Sequence, residues 1–351
     1  MTRNSRFYQN HLNKVSRSFA FCIDQLEEPF KHQVGLAYLL FRVLDTIEDA
    51  VSEDVSEKKS YIQDFVHFFK KKPSSNKVQK WVETFLGTFS TGMNPDEKKL
   101  VQDSFILVLD FHTLDKRVQK VIRDQVANMA RGMMCFLDQT KAGELRLRSL
   151  EEVNRYCFFV AGVVGELLSK LYTLCDSSFQ KNRDSLLLSH HFGLFLQKIN
   201  LLKDQKGDER QGRFLVPDRK AVWASTEMNA QLAFQYIEKI PHQSRGYRVF
   251  SAWSFFLGLG TLKWLIKSQK IPRLETFRLL KTVSDQIDKP DKLRKLFQEL
   301  MRDVFQEKKQ KNDCNTCNNL KSSTNIIWIK KFQGLYAGTI TREHLVDLGM
   351  I

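Results

Sequence analysis

At 351 residues, with 42% hydrophobic side chains and 27 phenylalanines, the chain has the means to bury a large core, which excludes disorder and a disulfide-stapled miniature. A net charge of +15 raises nucleic-acid binding, but the bases fall in separate short clusters at 70–72, 308–311 and 330–331, without an aromatic-glycine RNA signature or zinc-finger ligands. No nucleic-acid partner is expected; attraction to anionic lipid or to a polyanionic ligand accounts for the charge.

In chain order, the segment Met1 to Arg6 carries no apolar run of signal-peptide type. No proline interrupts Pro29 to Pro73 or Pro95 to Pro217, which leaves room for long helices. In the first of these intervals Tyr38, Arg42, Asp45 and Asp49 recur at steps of four, three and four, so one helical face carries an aromatic, a cation and two carboxylates, with Glu48 beside them. Asn94-Pro95-Asp96-Glu97 reads as a helix start. Val118, Ile122, Val126, Met129, Met133 and Phe136 mark one buried helical face. Ser149 with Glu152 predicts a capping box before a long apolar helix.

A second polar stripe follows, where Gln197, Asn200, Asp204 and Asp208 again step by three and four along a segment otherwise rich in Leu, Ile and Phe. Polar breaks are predicted around 71–76, 90–95, 139–148, 205–217 and 309–323, the last as a loop before a short tail. The most apolar stretch, Ala252 to Leu262, is bounded by Arg248 and Lys263 and is too short to span a bilayer, so no transmembrane segment is expected. Six scattered cysteines suit reduced thiols in the cytoplasm; Cys314 and Cys317 form a CxxC without a second pair, a weak zinc signal. Strand-like alternation is rare, and the expectation is an all-α bundle of ten or more helices.

The two stripes carry the chemistry. Two bare carboxylates at about 4 Å repel by roughly 4 kcal/mol at an effective dielectric of 20, and burial adds a desolvation cost. A divalent cation removes both problems. Acid stripes on two helices therefore suggest Mg²⁺ held by oxygens and shared with substrate phosphates. The alternative is a pair of solvated or structural charge networks.

These residues resemble a known family. Tyr38 through Asp49, in the form Asp-Thr-Ile-Glu-Asp at its end, is similar to the first aspartate-rich motif of squalene synthases, and Leu196 through Asp204 and Asp208 to the second. Val15-Ser16-Arg17-Ser18-Phe19 resembles the family's N-terminal diphosphate-contacting segment, Tyr156 through Glu166 its central helix, and Phe214-Leu215-Val216-Pro217 the turn after the second motif. The likeness covers about residues 7–285 in order and spacing, with residues 286–351 of undefined role.

The resemblance implies a single isoprenoid synthase domain over 1–351, a helical bundle around a deep central cavity that aromatic side chains line. It implies Mg²⁺ bound by Asp45, Glu48 and Asp49 at one rim and by Asp204 and Asp208 at the other. Ser16, Arg17, Arg42, Gln197, Asn200 and Lys203 would contact diphosphate, with Tyr38 and Tyr156 near the reacting atoms and Tyr156 placed for proton transfer. The implied reaction joins two farnesyl diphosphates through presqualene diphosphate and reduces the product with NADPH, whose phosphates Lys270 and Arg273 would meet. Three departures bear on the reductive half: Pro272 intrudes in the basic segment, Lys203 stands where arginine is usual, and Phe158 replaces a usual histidine.

Two other readings remain open. One is a non-reducing synthase that makes dehydrosqualene, phytoene or presqualene diphosphate; the other is a non-catalytic helical scaffold on acidic membrane. A monomeric cytoplasmic protein is expected, peripheral to the membrane, and the C-terminal residues Leu345 to Ile351 do not resemble the membrane anchor of the family's eukaryotic members.

Overall fold

The structure is a computed structural model that describes the backbone of residues 3–50, 54–176, 179 and 183–306. Among the described residues, fifteen α-helices account for nearly all regular structure, and strands are limited to the two-residue segments β1 (Leu145–Arg146) and β2 (Arg213–Phe214). The all-α expectation holds. The chain divides into two compact units, one within 1–145 and 170–176, the other within 146–169 and 177–306.

The first unit contains α1 (Arg3–Val15), α2 (Arg17–Ile23), α3 (Phe30–Asp49), α4 (Val55–His67), α5 (Ser75–Phe89), α6 (Pro95–Gln102), α7 (Ser104–Phe111) and α8 (Lys116–Gln139). Its core is aromatic. Tyr61, Phe65, Trp81, Phe85 and Phe89 pack in edge-on and stacked pairs, and Phe69 meets Phe111 edge-on at 5.0 Å. Such pairs add about 1 kcal/mol each beyond area burial. The start of α3 is tied down by a polar cluster: Asp110 of α7 accepts a hydrogen bond from Tyr8 of α1 and lies 3.1 Å from the His32 ring. The predicted helix start at Asn94 appears as drawn. The Asn94 side chain accepts the Asp96 N–H with Pro95 in the first turn, and Val118, Ile122, Val126, Met129, Met133 and Phe136 are the buried face of α8.

The second unit begins with α9 (Leu150–Cys157), which passes through a π turn (Phe158–Gly162) into α10 (Val163–Cys175), whose last residues belong to the first unit. Ser149 Oγ accepts the Glu152 N–H at 3.2 Å, but the Glu152 carboxylate returns to the N–H of Arg148 at 2.6 Å, one residue outside the predicted box. Then follow α11 (Arg183–Arg210), α12 (Arg219–Lys239), α13 (Arg245–Leu265), α14 (Arg273–Gln286) and α15 (Pro290–Met301), the last running into a second π turn. The predicted break at 205–217 begins later than expected, because α11 stays helical through Arg210.

Two expectations about apolar stretches need correction. The helical run Leu150–Cys175 is long and apolar enough to cross a membrane, a feature the sequence reading passed over in favour of Ala252 to Leu262. With 67% of its most apolar window buried, it behaves as a core helix. Arg248, taken as the edge of the other stretch, is itself buried in α13, where its guanidinium donates to the Ile287 carbonyl at 2.7 Å. The thiols of Cys22, Cys135 and Cys157 are buried core fillers and Cys175 is exposed, none of the four in a disulfide, while Cys314, Cys317 and the loop at 309–323 lie outside the described residues.

Candidate active site

The first acidic stripe occupies the C-terminal half of α3. Leu39, Leu40, Phe41, Val43, Leu44 and Ile47 pack inward and are buried, so the stripe formed by Tyr38, Arg42, Asp45 and Asp49 is the open side of an otherwise enclosed helix. Glu48 is buried next to it. Three carboxylates thus sit in the last two turns of a helix, where unpaired carbonyls already make the local potential negative, and the last turn holds no basic residue. One offset comes from α4, whose Lys58 Nζ donates to the Glu48 carbonyl at 2.9 Å.

Arg42 bonds Asp45 at 3.2 Å and Glu97, in the first turn of α6, at 2.5 Å. Burial alone would lower its pKa; Asp45, Tyr38, Glu97 and Asp49 outweigh that and raise it, so the guanidinium stays charged. Its Nε is buried with no hydrogen-bond partner among the described residues, which suits an incoming anion. Tyr38 stacks on Phe19 with ring centroids 5.5 Å apart. Burial raises the Tyr38 pKa against the opposing influence of Arg42 and of a hydrogen bond from Ser16, which keeps the phenol protonated at neutral pH. Ser16 is the N-cap of α2 yet makes no capping bond, so its hydroxyl serves Tyr38 instead. Arg17 opens α2, and its side chain lies outside the described residues.

The second stripe lies on α11. Phe192, Leu194, Phe195, Ile199, Leu201 and Leu202 are buried, Asn200, Lys203 and Asp204 are exposed, and Gln197 and Asp208 are half-buried. Lys203 bridges its neighbours, with Nζ 3.1 Å from Asp204 and 3.4 Å from the Asn200 side-chain oxygen. Arg219, at the start of α12, donates to the Leu202 carbonyl at 2.9 Å and to Gln205 at 2.6 Å, steadying the turn that presents Asp204.

Tyr156 is buried at the end of α9, two residues before the π turn. Arg213 of β2 donates to its phenol oxygen at 2.7 Å, and Arg146 stacks its guanidinium 3.5 Å over Phe214. Sequence reading missed Arg213, although it immediately precedes the Phe-Leu-Val-Pro segment. The helices behind Tyr156 approach closely because of glycine: a Cβ on Gly165 would stand 2.0 Å from the Ser189 carbonyl oxygen, and one on Gly193 2.2 Å from that of Ala161.

The interior of this unit holds an unforeseen polar cluster. Lys198, next to Gln197 in sequence but pointing into the core, is fully buried; its Nζ bonds Ser225 Oγ and Asn229 Oδ1, each at 2.6 Å. The other end of the Asn229 amide donates to His191 Nδ1 at 2.8 Å, and burial lowers the His191 pKa to about 3, leaving a neutral ring. The fully buried His190 and Glu166 meet at 2.9 Å and tie α10 to α11. A signal for Lys198 did exist, since Phe195 and Leu202 lie three before and four after it on the apolar face.

Burial lowers the Lys198 pKa to about 8, with Cys157 opposing, against an ordinary 10.5. The unfolded chain then holds the extra proton between those values, so this residue makes stability rise with pH from about 8 towards 10.5, by on the order of 3 kcal/mol. In Lys198→Met that rise should be absent, which urea unfolding of both proteins at neutral and at alkaline pH measures.

The donor set fits Mg²⁺ in one mode. Among the described residues no group of three or more His, Cys, Asp or Glu side chains forms a ready metal cage. Carboxylates spaced along one side of a helix suit an ion that keeps several waters and takes its remaining ligands from substrate phosphates. For NADPH the structure offers less: Lys270 and Arg273 are exposed cations at the start of α14, able to meet a phosphate but with no further cradle evident among the described residues. The large cavity of the second unit, about 820 Å³ between α12 and α15, is lined by Glu227, Phe234, Arg294 and Phe297 and contains none of the predicted site residues.

An all-α protein whose acids line two separate helices has the fold of the helical isoprenoid synthases. It overlays the squalene synthase TcSQS in complex with the ligand BPH1237 with a TM-score of 0.63 and 24% identity, over 88% of this chain and 99% of that one. The squalene/phytoene synthase family profile matches residues 12–230, and the chain belongs to that family. It is 34% identical over 223 residues to the squalene synthase of Dictyostelium discoideum, covering 63% of this chain and 48% of that protein. It is 31% identical over 214 residues to that of Homo sapiens, covering 61% and 46%. The chain thus spans about half the length of these curated relatives.

Proposed function

We propose that the protein joins two farnesyl diphosphates head to head through presqualene diphosphate and reduces the product to squalene with NADPH. The observation that carries this reading is the placement of Asp45, Glu48 and Asp49 at the negative end of α3 in a chain of the squalene/phytoene synthase family. In this reading these residues, with Asp204 and Asp208 of α11, hold Mg²⁺ together with diphosphate. The metal supplies Lewis-acid neutralisation of the leaving group and NADPH supplies the hydride.

The chain's own residues orient and stabilise. Arg42 exchanges part of its pairing with Asp45 and Glu97 for diphosphate oxygens, and its fork suits the charge that grows as the carbon–oxygen bond breaks. Tyr38, kept protonated by burial and held by Ser16, donates to the same group. Gln197, Asn200 and Lys203 bind the second diphosphate. Tyr156, its oxygen fixed by Arg213, takes part in proton transfer beside the allylic cation.

Mass spectrometry of products from farnesyl and from geranylgeranyl diphosphate, each with Mg²⁺ and with or without NADPH, tests the reading. Squalene is expected only with farnesyl diphosphate plus NADPH, and presqualene diphosphate without reductant. A C30 or C40 polyene formed equally well without NADPH assigns the chain to the non-reducing enzymes, and intact substrate under every condition removes the catalytic reading.

A further inference from the structure

Among the described residues only three large apolar side chains stand mostly in solvent: Phe21, at 52%, and Leu274 and Phe277, at 59% each. The last two are neighbours on one helix. At about 100° per residue, Arg273, Phe277, Lys281, Leu274 and Arg278 fall within an arc of roughly 140° on α14. All five are exposed, whereas Leu280, Val283 and Ile287, on the adjoining arc, are buried against the unit.

The charge around this apolar pair is net positive. Lys267 and Lys270, both exposed, lead into the helix, and the Lys267 ammonium sits 5.2 Å from the centre of the Trp264 ring. The nearby acids are already engaged, Glu275 with Arg278 at 2.8 Å and Asp285 with Lys281 at 2.7 Å. Lys267, Lys270 and Arg273 have no carboxylate partner among the described residues. Two protruding apolar side chains inside a ring of cations match a bilayer interface, where acyl chains receive the former and anionic headgroups the latter.

We propose that the outer face of α14 docks the protein on anionic membrane, with Leu274 and Phe277 entering the acyl boundary and Lys267, Lys270, Arg273, Arg278 and Lys281 meeting lipid phosphates. The occupant is lipid because the face is apolar at its centre and net positive at its rim, where Lys267, Lys270, Arg273, Arg278 and Lys281 outnumber Glu275 and Asp285. A second copy would set these bases against one another. Lys270 and Arg273 lie on the face that the family resemblance assigns to NADPH, so the cofactor and the membrane draw on the same cations. The docking stands independently of catalysis, since vesicle binding requires no turnover.

The test is co-sedimentation of the full chain with vesicles of phosphatidylcholine containing about one third phosphatidylserine, against vesicles of phosphatidylcholine alone. Binding should be at least about tenfold tighter to the anionic vesicles and should weaken as salt is raised. The variant Leu274→Ser/Phe277→Ser, folded by circular dichroism, should lose about tenfold in affinity for anionic vesicles, whereas Phe21→Ser should bind as the parent does. Equal binding by the double variant and the parent, or no preference for the anionic vesicles, overturns the proposal. So does a parent that sediments as a dimer while the double variant is a monomer, which would make this face a contact between copies.

Discussion

Asp45→Asn should lower turnover of farnesyl diphosphate by roughly a thousandfold, about 4 kcal/mol of transition-state stabilisation, while leaving the protein folded. The two effects separate because Asp45 does different work in the two states. In the resting fold its carboxylate lies near the negative end of α3 and makes a partly exposed pair with Arg42, which keeps Glu97 as a second partner. Loss of such a pair costs up to about 1 kcal/mol, and removal of a charge from the wrong end of the helix dipole returns about 0.3 to 1 kcal/mol, so the melting temperature should barely move. Turnover at saturating Mg²⁺, with thermal unfolding of the same preparation, checks both halves. Unchanged turnover in a folded Asp45→Asn protein would refute the assignment of this stripe to the metal.

Gly165→Ala should destabilise the second unit by about 3 kcal/mol or more, and Gly193→Ala should do the same. In both cases the added methyl meets backbone, the Ser189 carbonyl at 2.0 Å or the Ala161 carbonyl at 2.2 Å, which no rotamer change relieves. The separation of α10, the π turn and α11 would have to increase, and the buried bonds between Glu166 and His190 and among Lys198, Ser225 and Asn229 depend on it. For a unit of this size each kcal/mol corresponds to about 2 to 4 °C, so a loss on the order of 10 °C in melting temperature is expected. Gly207, also on α11, is the control: a Cβ there meets nothing within 4 Å, and alanine should stabilise the helix by about 0.5 to 1 kcal/mol. Equal behaviour of Gly165→Ala and Gly207→Ala would remove the close-packing explanation.

Local pattern was enough for much of this. The steps of three and four that put Tyr38, Arg42, Asp45 and Asp49 on one face follow from helical geometry, and the structure keeps them on the open side of a helix otherwise buried. The caps at Asn94 and Ser149 were legible because each involves residues two to three apart. Phenylalanine was less informative. Phe65, Phe69, Phe85, Phe111, Phe195 and Phe255 are fully buried core side chains. Composition counts aromatic rings without telling which of them face a ligand.

The sequence by itself determined the helical class, the two acidic stripes, the helix starts at Asn94 and Ser149 and the family, because all of these rest on short-range periodicity and on ordered blocks along the chain. Only the tertiary structure decided that Arg42 is shared between Asp45 and Glu97, that Arg213 holds Tyr156, and that Lys198 is sealed in the core with Ser225 and Asn229. Those pairings join residues 27 to 57 positions apart, except for the helical step from Arg42 to Asp45. A side chain's partner at such distances is set by how helices cross and how near glycine lets them come, and one-dimensional spacing carries no record of either.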